Sequence, residues 1–442
     1  MKLDRRTFVK GAAAMALLGV GSGTARASEG KEGTVGKKIR VGNIGTGARG
    51  TELVSGILQF PDVEVTALCD IDKGRLDNAC NIVKDVTGKR PEPYTGDEHA
   101  YRKMLERDDL DGVMICTPIE WHIPMSVDAM KAGKHVGSEV TAGEDLEGLW
   151  DLVRTKEATG RRYMLLENYA YTPDNMMIAN MMAQSIFGFP YYAECAYVHD
   201  CRNLRFNPDG TLTWRGRSVR DNYGNSYATH ALGPVAKWMG LNDGDRMERL
   251  TCMMTRPRTM HEYAVKKFGE NSEPAKVDFK LGEMVSTLIH TAEGRVIRVD
   301  LDVHSPRPMS IYYLAQGTKG CWDTRSGMFV EGRTKDDRWE SPDAYREEYQ
   351  HPWFKKWGEP AAKTGHWGGD YFVLYDFVRM LKTGREPWID VYDAATWSSL
   401  YHCTRQSLDN GSAPVEMPDF TGGRWKQKDW RKESLKPVLD KV

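Results

Sequence analysis

The sequence predicts an α/β chain in two parts. The first is an N-terminal, doubly wound parallel sheet of the Rossmann type. The second is a C-terminal α+β domain with an open, mostly antiparallel sheet. From residue 38 to about 165, short apolar runs alternate with helical segments, the pattern of parallel β-α-β units. Beyond residue 166, strand-like runs follow one another with short connections, which favours antiparallel pairing. We therefore expect domains at 38–165 and 166–442.

The predicted elements of the first part alternate regularly. Strands are expected at 39–44, 63–69, 112–116, 135–140 and 161–167, and helices at 48–59, 73–87, 97–107, 121–132 and 144–159. Gly133 and Gly160 follow the last two helices as stop signals. In the second part, strands are expected at 190–199, 247–254, 284–292, 295–303 and 310–316. The dipeptide Glu293-Gly294 indicates a hairpin turn between two of them.

A glycine motif follows the first predicted strand and opens the first helix. The stretch Gly45-Thr46-Gly47-Ala48-Arg49-Gly50 fits Gly-x-Gly-x-x-Gly, the fingerprint of dinucleotide binding. Gly45 allows a tight turn, Gly47 lets the backbone approach a pyrophosphate, and Gly50 lets helix and strand pack closely. The next strand ends at Asp70, and an acidic residue there accepts hydrogen bonds from ribose hydroxyls and repels a 2′-phosphate. We predict NAD rather than NADP; the alternative is a glycine turn with a surface aspartate that caps the next helix.

The overall composition excludes several classes of partner and site. The 442 residues carry a net charge of −1, which argues against a nucleic-acid partner or an anionic membrane surface. The eight cysteines are scattered without Cys-x-x-Cys or zinc-type spacing, so no metal site is expected.

The first 27 residues have the features of a twin-arginine export signal. Arg5-Arg6 precedes a short apolar run at 11–20, and Ala25-Arg26-Ala27 resembles a cleavage site. That run is too short for a stable membrane span. We expect residues 28–37 to be a flexible linker and the folded chain to be exported by the twin-arginine machinery to the periplasm or beyond. This route suits a nicotinamide protein, since free NAD is scarce outside the cytoplasm; the alternative is an ordinary basic, amphipathic N-terminus.

The order of the two parts, with Ala132-Gly133-Lys134-His135-Val136 before an acidic residue, resembles the glucose-fructose oxidoreductase / inositol dehydrogenase / MocA superfamily. Ordinary members continue with Glu-Lys-Pro, whereas this chain reads Glu139-Val140-Thr141 and lacks the lysine. The departures resemble glycoside hydrolase family 109, NAD-dependent enzymes with α-N-acetylgalactosaminidase activity. The matching blocks are Glu120-Trp121-His122, Gly137-Ser138-Glu139-Val140, Leu166-Glu167-Asn168, Trp214-Arg215, Tyr227-Ala228-Thr229-His230, residues 365–372 and residues 390–397.

The resemblance implies cofactor contacts at the ends of several predicted strands. Beside the three glycines, Gly45, Gly47 and Gly50, the implied residues are Ala48, Arg49, Asp70, Ile119, Glu120, Trp121, His122, Glu139, Val140 and Asn168. Ligands of doubly wound sheets bind at the carboxyl ends of the strands, so the positions agree with the predicted fold. For Trp121 and His122 the simpler alternatives are packing and a hydrogen-bonded surface histidine.

The resemblance also implies substrate contacts in the second domain. These are Tyr197, Arg215, Tyr227, Ala228, Thr229 and His230, with Tyr171 as a further candidate. Tyr227 and His230 are three residues apart at a helix start and so lie on neighbouring faces. Histidine suits proton transfer near neutral pH, whereas tyrosine would act as a base only if a cation lowered its pKa. We expect both to be catalytic. The family has a tyrosine where this chain has Met309. His366, in a glycine-rich loop, is a candidate for lining the substrate pocket.

No pair of carboxylates typical of ordinary glycosidases is recognisable in the sequence. The resemblance implies another route, in which NAD⁺ oxidises sugar C3, a base removes the C2 proton, the aglycone is eliminated, water adds and NADH returns the hydride. We expect His230 to transfer the proton of the hydroxyl that is oxidised, with Tyr227 as its partner or as the base at C2; which residue takes the C2 proton stays open. The expected partner is a glycan, and a homo-oligomer is also considered. Two alternatives remain: an exported NAD(P)-dependent sugar oxidoreductase of the same superfamily, and a non-catalytic, NAD-bound sugar-binding protein.

Overall fold

A computed structural model describes residues 38–428 and 430–431 of the chain. The predicted export signal at 1–27 and the predicted linker at 28–37 lie outside these residues. Helices, in chain order, are α1 Ala48–Ile57, α2 Lys73–Thr87, α3 Ala100–Leu105, α4 His122–Lys131, α5 Leu146–Thr159, α6 Pro173–Ala183, α7 Trp214–Asp221, α8 Thr229–Trp238, α9 Thr259–Phe268, α10 Asp343–Tyr349, α11 Pro352–Ala361, α12 Gly369–Thr383, α13 Val391–Ser398 and α14 Leu400–Asp409.

The first sheet is parallel throughout and has the strand order β3-β2-β1-β4-β5-β6. Its strands are β1 Ile39–Ile44, β2 Val63–Cys69, β3 Glu92–Tyr94, β4 Gly112–Ile115, β5 His135–Ser138 and β6 Tyr163–Leu165. The predicted doubly wound fold is confirmed. Strand β3 was not predicted, because it has only three residues and contains Pro93; it pairs with β2 at the sheet edge, where a missing N–H is tolerated.

The second sheet has eight strands in the order β13-β12-β11-β7-β10-β9-β8-β14. Its strands are β7 Pro190–Val198, β8 Met247–Met254, β9 Val285–Thr291, β10 Val296–Asp302, β11 Ser310–Gly317, β12 Gly320–Asp323, β13 Gly327–Val330 and β14 Val415–Glu416. All neighbours are antiparallel except β7 and β10, which confirms the mostly antiparallel prediction. The predicted hairpin joins β9 to β10, with Gly294 at φ +78°. The three unpredicted strands, β12 to β14, have four residues or fewer.

Helix α12 belongs to the C-terminal part of the chain but packs on the first sheet. Two glycines of that sheet face it: a Cβ on Gly112 would lie 2.7 Å from Leu381 Cδ2, and one on Gly137 would lie 2.9 Å from the Phe377 ring. The absence of side chains at these glycines therefore allows a close approach. It places Asp370, in the first turn of α12, beside the glycine motif.

Helix α8 positions His230 in its first turn, and Tyr227 lies two residues before the helix begins. The helix is buried along nearly its whole length and packs on β7 and on the short 3₁₀ helix at Tyr169–Tyr171. Gly233 lies one turn after His230, and a Cβ there would come within 3.1 Å of Glu167 Cγ. This glycine thus leaves room for a buried carboxylate against the helix.

The eight cysteines are free thiols. Over 38–428 and 430–431, no helix has both the length and the apolar character needed to cross a bilayer. The same residues contain no group of three or more His, Cys, Asp or Glu side chains arranged to hold a metal ion.

Candidate active site

A cleft of about 1000 Å³ has walls from both sheets and their connecting loops. Most of the residues expected to bind cofactor or substrate line it. These are Gly45, Gly47, Ala48, Arg49, Asp70, Ile119, Trp121, His122, Glu139, Val140, Asn168, Tyr197, Arg215, Tyr227 and His230. Residues from widely separated segments therefore meet at one cavity, as the shared strand ends predict.

The glycine motif has the geometry that a dinucleotide needs. Gly45 adopts φ +89°, and a Cβ there would lie 2.7 Å from the backbone of Cys116. A Cβ on Gly50 would lie 1.9 Å from the Gly45 carbonyl oxygen, so only glycine fits. Beside Gly47 the space is open for 4 Å. Helix α1 then starts without a side-chain cap and without an acidic residue in its first turn, so its N–H groups fit a pyrophosphate.

Asp70 holds the glycine loop at the end of β2. Its Oδ2 accepts hydrogen bonds from Thr46 N at 2.6 Å and Thr46 Oγ1 at 3.0 Å, and its Oδ1 accepts from Asp72 N at 2.8 Å. The N-cap of α2 is Asp72, whose side chain accepts from Arg75 N. The alternative in which Asp70 caps that helix is therefore wrong, and Asp70 lines the cleft.

Arg49 connects the glycine loop to two carboxylates. Its Nε donates to Glu139 Oε1 at 2.7 Å and its Nη2 donates to Asp370 Oδ1 at 2.8 Å. Asp370 also accepts from Asn168 Nδ2 and contacts His366 Nδ1, each at 2.8 Å. Burial opposes ionisation of Asp370, but the His366 hydrogen bond and the Arg49 charge keep its pKa well below the usual range. The chain lacks a lysine after Glu139, but the Arg49 guanidinium, which comes from another segment, lies beside the Glu139 carboxylate.

His230 is oriented by a carboxylate that sequence reasoning missed. Its Nδ1 lies 2.9 Å from both Oε1 and Oε2 of Glu167, which is fully buried. A carboxylate only accepts, so Nδ1 is the donor and Nε2 is left without a hydrogen-bond partner among the described residues. Glu167 also accepts from Tyr169 N at 2.9 Å. Its place at the end of β6, directly before Asn168, was the signal that could have identified it.

Three tyrosine rings surround the His230 imidazole. The ring centroids of Tyr169, Tyr197 and Tyr227 lie 4.6, 5.1 and 5.0 Å from that of His230. Burial, with the charge of Glu139, raises the pKa of Tyr227. The condition set above for Tyr227 to act as a base, a pKa lowered by a cation, is not met, and the phenol stays protonated near neutral pH.

Other contacts hold the edges of the cleft. The Tyr197 hydroxyl is within hydrogen-bond distance of His199 Nδ1, at 2.9 Å. The Arg215 guanidinium stacks over the Trp214 ring at 4.2 Å. The Tyr313 hydroxyl donates to the His230 carbonyl at 2.6 Å and so fixes the start of α8. Met309 is exposed and is not among the residues that line the cleft.

Five expected site residues do not line the cleft. Tyr171 is fully buried, its hydroxyl donates to Asp376 Oδ2 at 2.7 Å, and its ring packs on Trp388. Its expected contact with substrate is therefore corrected to a packing role. The other four, Gly50, Glu120, Ala228 and Thr229, lie behind or beside residues that do line it.

His122 and Trp121 line the cleft and also pack. His122 is buried, with Nδ1 2.6 Å from Thr141 O and Nε2 2.9 Å from Thr117 O, so both ring nitrogens are engaged with the backbone. Trp121 meets His99 edge-on at 5.6 Å. Contact of either residue with a cofactor stays a prediction.

Two family models match almost the whole described chain. Residues 39–166 match an oxidoreductase family with an NAD-binding Rossmann fold, and residues 171–427 match the C-terminal domain of glycosyl hydrolase 109. Among relatives, a glycosyl hydrolase family 109 protein of Stenotrophomonas maltophilia (strain K279a) is 39% identical over 89% of this chain and 91% of its own length. An alpha-N-acetylgalactosaminidase of Tannerella forsythia is 35% identical over 96% of this chain and 98% of its own.

Solved structures agree on the fold. An NAD binding oxidoreductase from Klebsiella pneumoniae aligns with a TM-score of 0.69 at 16% identity, over 86% of this chain and 99% of that chain. A levoglucosan dehydrogenase in complex with NADH aligns with a TM-score of 0.66 at 18% identity, over 86% and 100%. At these identities the likeness shows the fold alone: a parallel, doubly wound sheet followed by an open, mostly antiparallel sheet.

Proposed function

This chain belongs to glycosyl hydrolase family 109, and from that premise we propose that it removes terminal α-linked N-acetylgalactosamine from a glycan. It is a glycoside hydrolase that uses NAD. The non-catalytic alternative is thereby set aside. The sugar is proposed because the Tannerella forsythia relative carries that activity in its name. The observation that carries the proposal is the Glu167–His230 pair, whose histidine lines the same cleft as the glycine motif.

NAD, when bound, would accept a hydride from a sugar carbon and later return it. The chain supplies its holding groups: the open backbone at Gly47, the uncapped N–H groups of α1, and Asp70 at the end of β2. Asn168 adds an amide oxygen that is buried and has no hydrogen-bond partner within the described chain. These groups fit the polar parts of a dinucleotide.

The protein's own chemistry is proton transfer at His230. Glu167 keeps the proton on Nδ1, so Nε2 of this cleft-lining histidine keeps a lone pair that can accept a proton from the sugar. We assign Nε2 of His230 as the base, and the protonated Tyr227 hydroxyl as a donor to a sugar oxygen. Arg215, stacked on Trp214 at the rim, presents a planar fork of donors to sugar hydroxyls.

The test uses purified protein without added cofactor on 4-nitrophenyl α-N-acetylgalactosaminide, with the α-galactoside as control. We expect release of intact N-acetylgalactosamine, many turnovers per bound NAD, and preference for the N-acetylated sugar. The sugar oxidoreductase alternative predicts an oxidised sugar and stoichiometric consumption of a second substrate. Detection of an oxidised sugar as the main product would decide against hydrolysis.

Export is a further part of the proposal. Arg5-Arg6, the short apolar run and the Ala-x-Ala site support transport of the folded protein by the twin-arginine route. Assembly into a homo-oligomer stays a prediction.

A further inference from the structure

A second, smaller chamber adjoins the cleft. It measures about 160 Å³, well above the roughly 10–15 Å³ needed for one water. It shares Tyr197, Arg215 and Tyr227 with the cleft and extends from them to Arg205 and His199. A substituent on a sugar held by the shared residues could therefore enter it.

Arg205 is an unusual member of this chamber. Its relative exposure is 6%, and it makes no ion pair or side-chain hydrogen bond with any part of the chain that the structure describes. Burial lowers its pKa to about 10, so it is still a cation at neutral pH. Buried arginines are almost always paired, because an unpaired buried charge is costly. The guanidinium therefore lacks an anionic partner.

The neighbours of Arg205 do not supply that partner. Burial, followed by the charge of Arg205, lowers the pKa of His304 to about 3, which leaves His304 neutral. The nearby Asp200 is engaged by Arg202, with Oδ2 2.8 Å from Nη2. Glu144 lines the chamber, but burial raises its pKa and it forms no ion pair with Arg205. Two guanidiniums, Arg205 and Arg215, and a single carboxylate, Glu144, line the chamber, so positive side chains outnumber negative ones there.

We propose that this chamber is an anion subsite, in which Arg205 binds a carboxylate or sulfate carried by the glycan substrate. The inference deepens the proposed function and rests on it. A guanidinium presents paired donors that match either oxyanion, and such charge-assisted bonds are the stronger kind. Arg205 is then a specificity-determining residue, distinct from Arg215 at the cleft itself.

The first experiment compares substrates on the NAD-loaded protein. The pair is 4-nitrophenyl α-N-acetylgalactosaminide and its 6-sulfate, with the C6 carboxylate analogue as a second acidic form. We expect wild-type kcat/KM to favour an acidic form by about 10- to 100-fold, the value of a hydrogen bond to a charged group. Arg205→Met should abolish the preference and keep activity on the neutral form. The matched control is Arg220→Met, an exposed arginine of α7 paired with Asp221 outside both cavities.

The second experiment needs no turnover. Sulfate or glucuronate, each compared with chloride at equal ionic strength, should raise the Tm of the NAD-loaded wild type and of Arg220→Met but not of Arg205→Met. The larger shift identifies the preferred oxyanion. Without added anion, Arg205→Met should melt above wild type, since it removes a buried unpaired charge.

The two experiments separate the two proposals. If neither glycoside is cleaved but anions stabilise only proteins that keep Arg205, the proposed hydrolysis fails and the anion subsite stands. If wild type and Arg205→Met respond alike to anions and to acidic substrates, the subsite is overturned whatever the hydrolysis shows. A general effect of salt on stability would raise the Tm of Arg205→Met and of the exposed control Arg220→Met alike.

Discussion

At the scale of single residues, Glu167 decides which nitrogen of His230 is available. The carboxylate accepts from Nδ1 and has no donor of its own, so Nε2 keeps its lone pair. Glu167→Gln preserves the shape but can donate its amide to Nδ1 and favour the opposite tautomer. We expect kcat to fall by about 10²- to 10⁴-fold with little change in KM. Steady-state kinetics test this, with the exposed Glu147→Gln as control; an unchanged kcat would remove Glu167 from the mechanism.

In the proposed mechanism, His230 is the residue that transfers the proton. His230→Ala should lower kcat by about 10²- to 10⁴-fold, the range for a lost general acid or base. His402→Ala, on an exposed face of α14, is the matched control. If the isotope at C2 of a deuterated substrate still exchanged with solvent at the wild-type rate in His230→Ala, another residue would be the base.

At the scale of elements, the glycine loop makes a sharp prediction. A Cβ on Gly50 would meet the Gly45 carbonyl oxygen at 1.9 Å, so Gly50→Ala must move the loop away from helix α1. We expect loss of copurified NAD and of activity. Gly358→Ala in α11 is the control, because the nearest atom to its Cβ is Phe354 Cδ1 at 3.9 Å. The dinucleotide content of the two purified variants, read by absorbance after denaturation, checks this; equal content would contradict the fit.

Strand β5 begins with a histidine that ties stability to pH. Burial, with Arg161 and Arg162, lowers the pKa of His135 to about 4, and its Nδ1 accepts a hydrogen bond from Arg162 N at 2.8 Å. Its unfolded pKa is about 6.5. The folded form binds the proton less well than the unfolded chain. The contribution of neutral His135 to the free energy of unfolding is therefore fully present above pH 6.5 and is lost as pH falls toward 4.

The expected loss is up to about 3 kcal/mol of unfolding free energy, since each pKa unit is worth about 1.4 kcal/mol. Urea unfolding at pH 7 and at pH 4.5 should show a smaller difference for His135→Asn than for wild type. The exposed His402→Asn should behave like wild type. An equal pH dependence in all three proteins would rule out this role of His135.

The elements that sequence patterns predicted are the long, periodic ones. Strands β1, β2 and β8 and helix α2 have the predicted bounds, because apolar alternation and caps are local signals. Strands β3 and β14 were missed, since their order comes from pairing with β2 and β8 and not from their own residues. The parallel pairing of β7 with β10 is likewise a long-range contact.

The site shows the same division. The glycine motif and Asp70 were predictable because their spacing is set within one β-α-β unit. The contacts of Arg49 with Asp370 and of His230 with Glu167 join residues far apart in the chain, so local spacing could not give them. The sequence contains many carboxylates, and only the folded structure shows that Glu167 is the one that contacts His230.

At the scale of the whole molecule, bound NAD should act as a recycled part of the enzyme. Removal of the dinucleotide under mild denaturant, followed by refolding, should abolish activity and lower Tm, because a ligand of the native state stabilises it. NAD added in a molar amount equal to that of the protein, rather than that of the substrate, should restore both the activity and the Tm. Activity of the stripped protein equal to that of the loaded one would refute dependence on the cofactor.

The export proposal is also tested on the whole chain. Replacement of Arg5 and Arg6 by lysine should leave the protein in the cytoplasm, while a change at Lys10 outside the twin arginine should not. Cell fractionation with an activity assay on each fraction gives the readout. Continued export of the double-lysine variant would exclude the twin-arginine route.

The packing of α12 on the glycines of the first sheet has a consequence for biosynthesis. A nascent chain that ends near residue 165 leaves Gly112 and Gly137 uncovered by α12, and Asp370, one of the two carboxylates that meet Arg49, has not yet been made. The ribosome must deliver residues 369–383 before this layer is closed. Loading with dinucleotide is therefore expected only after nearly the whole polypeptide has been translated.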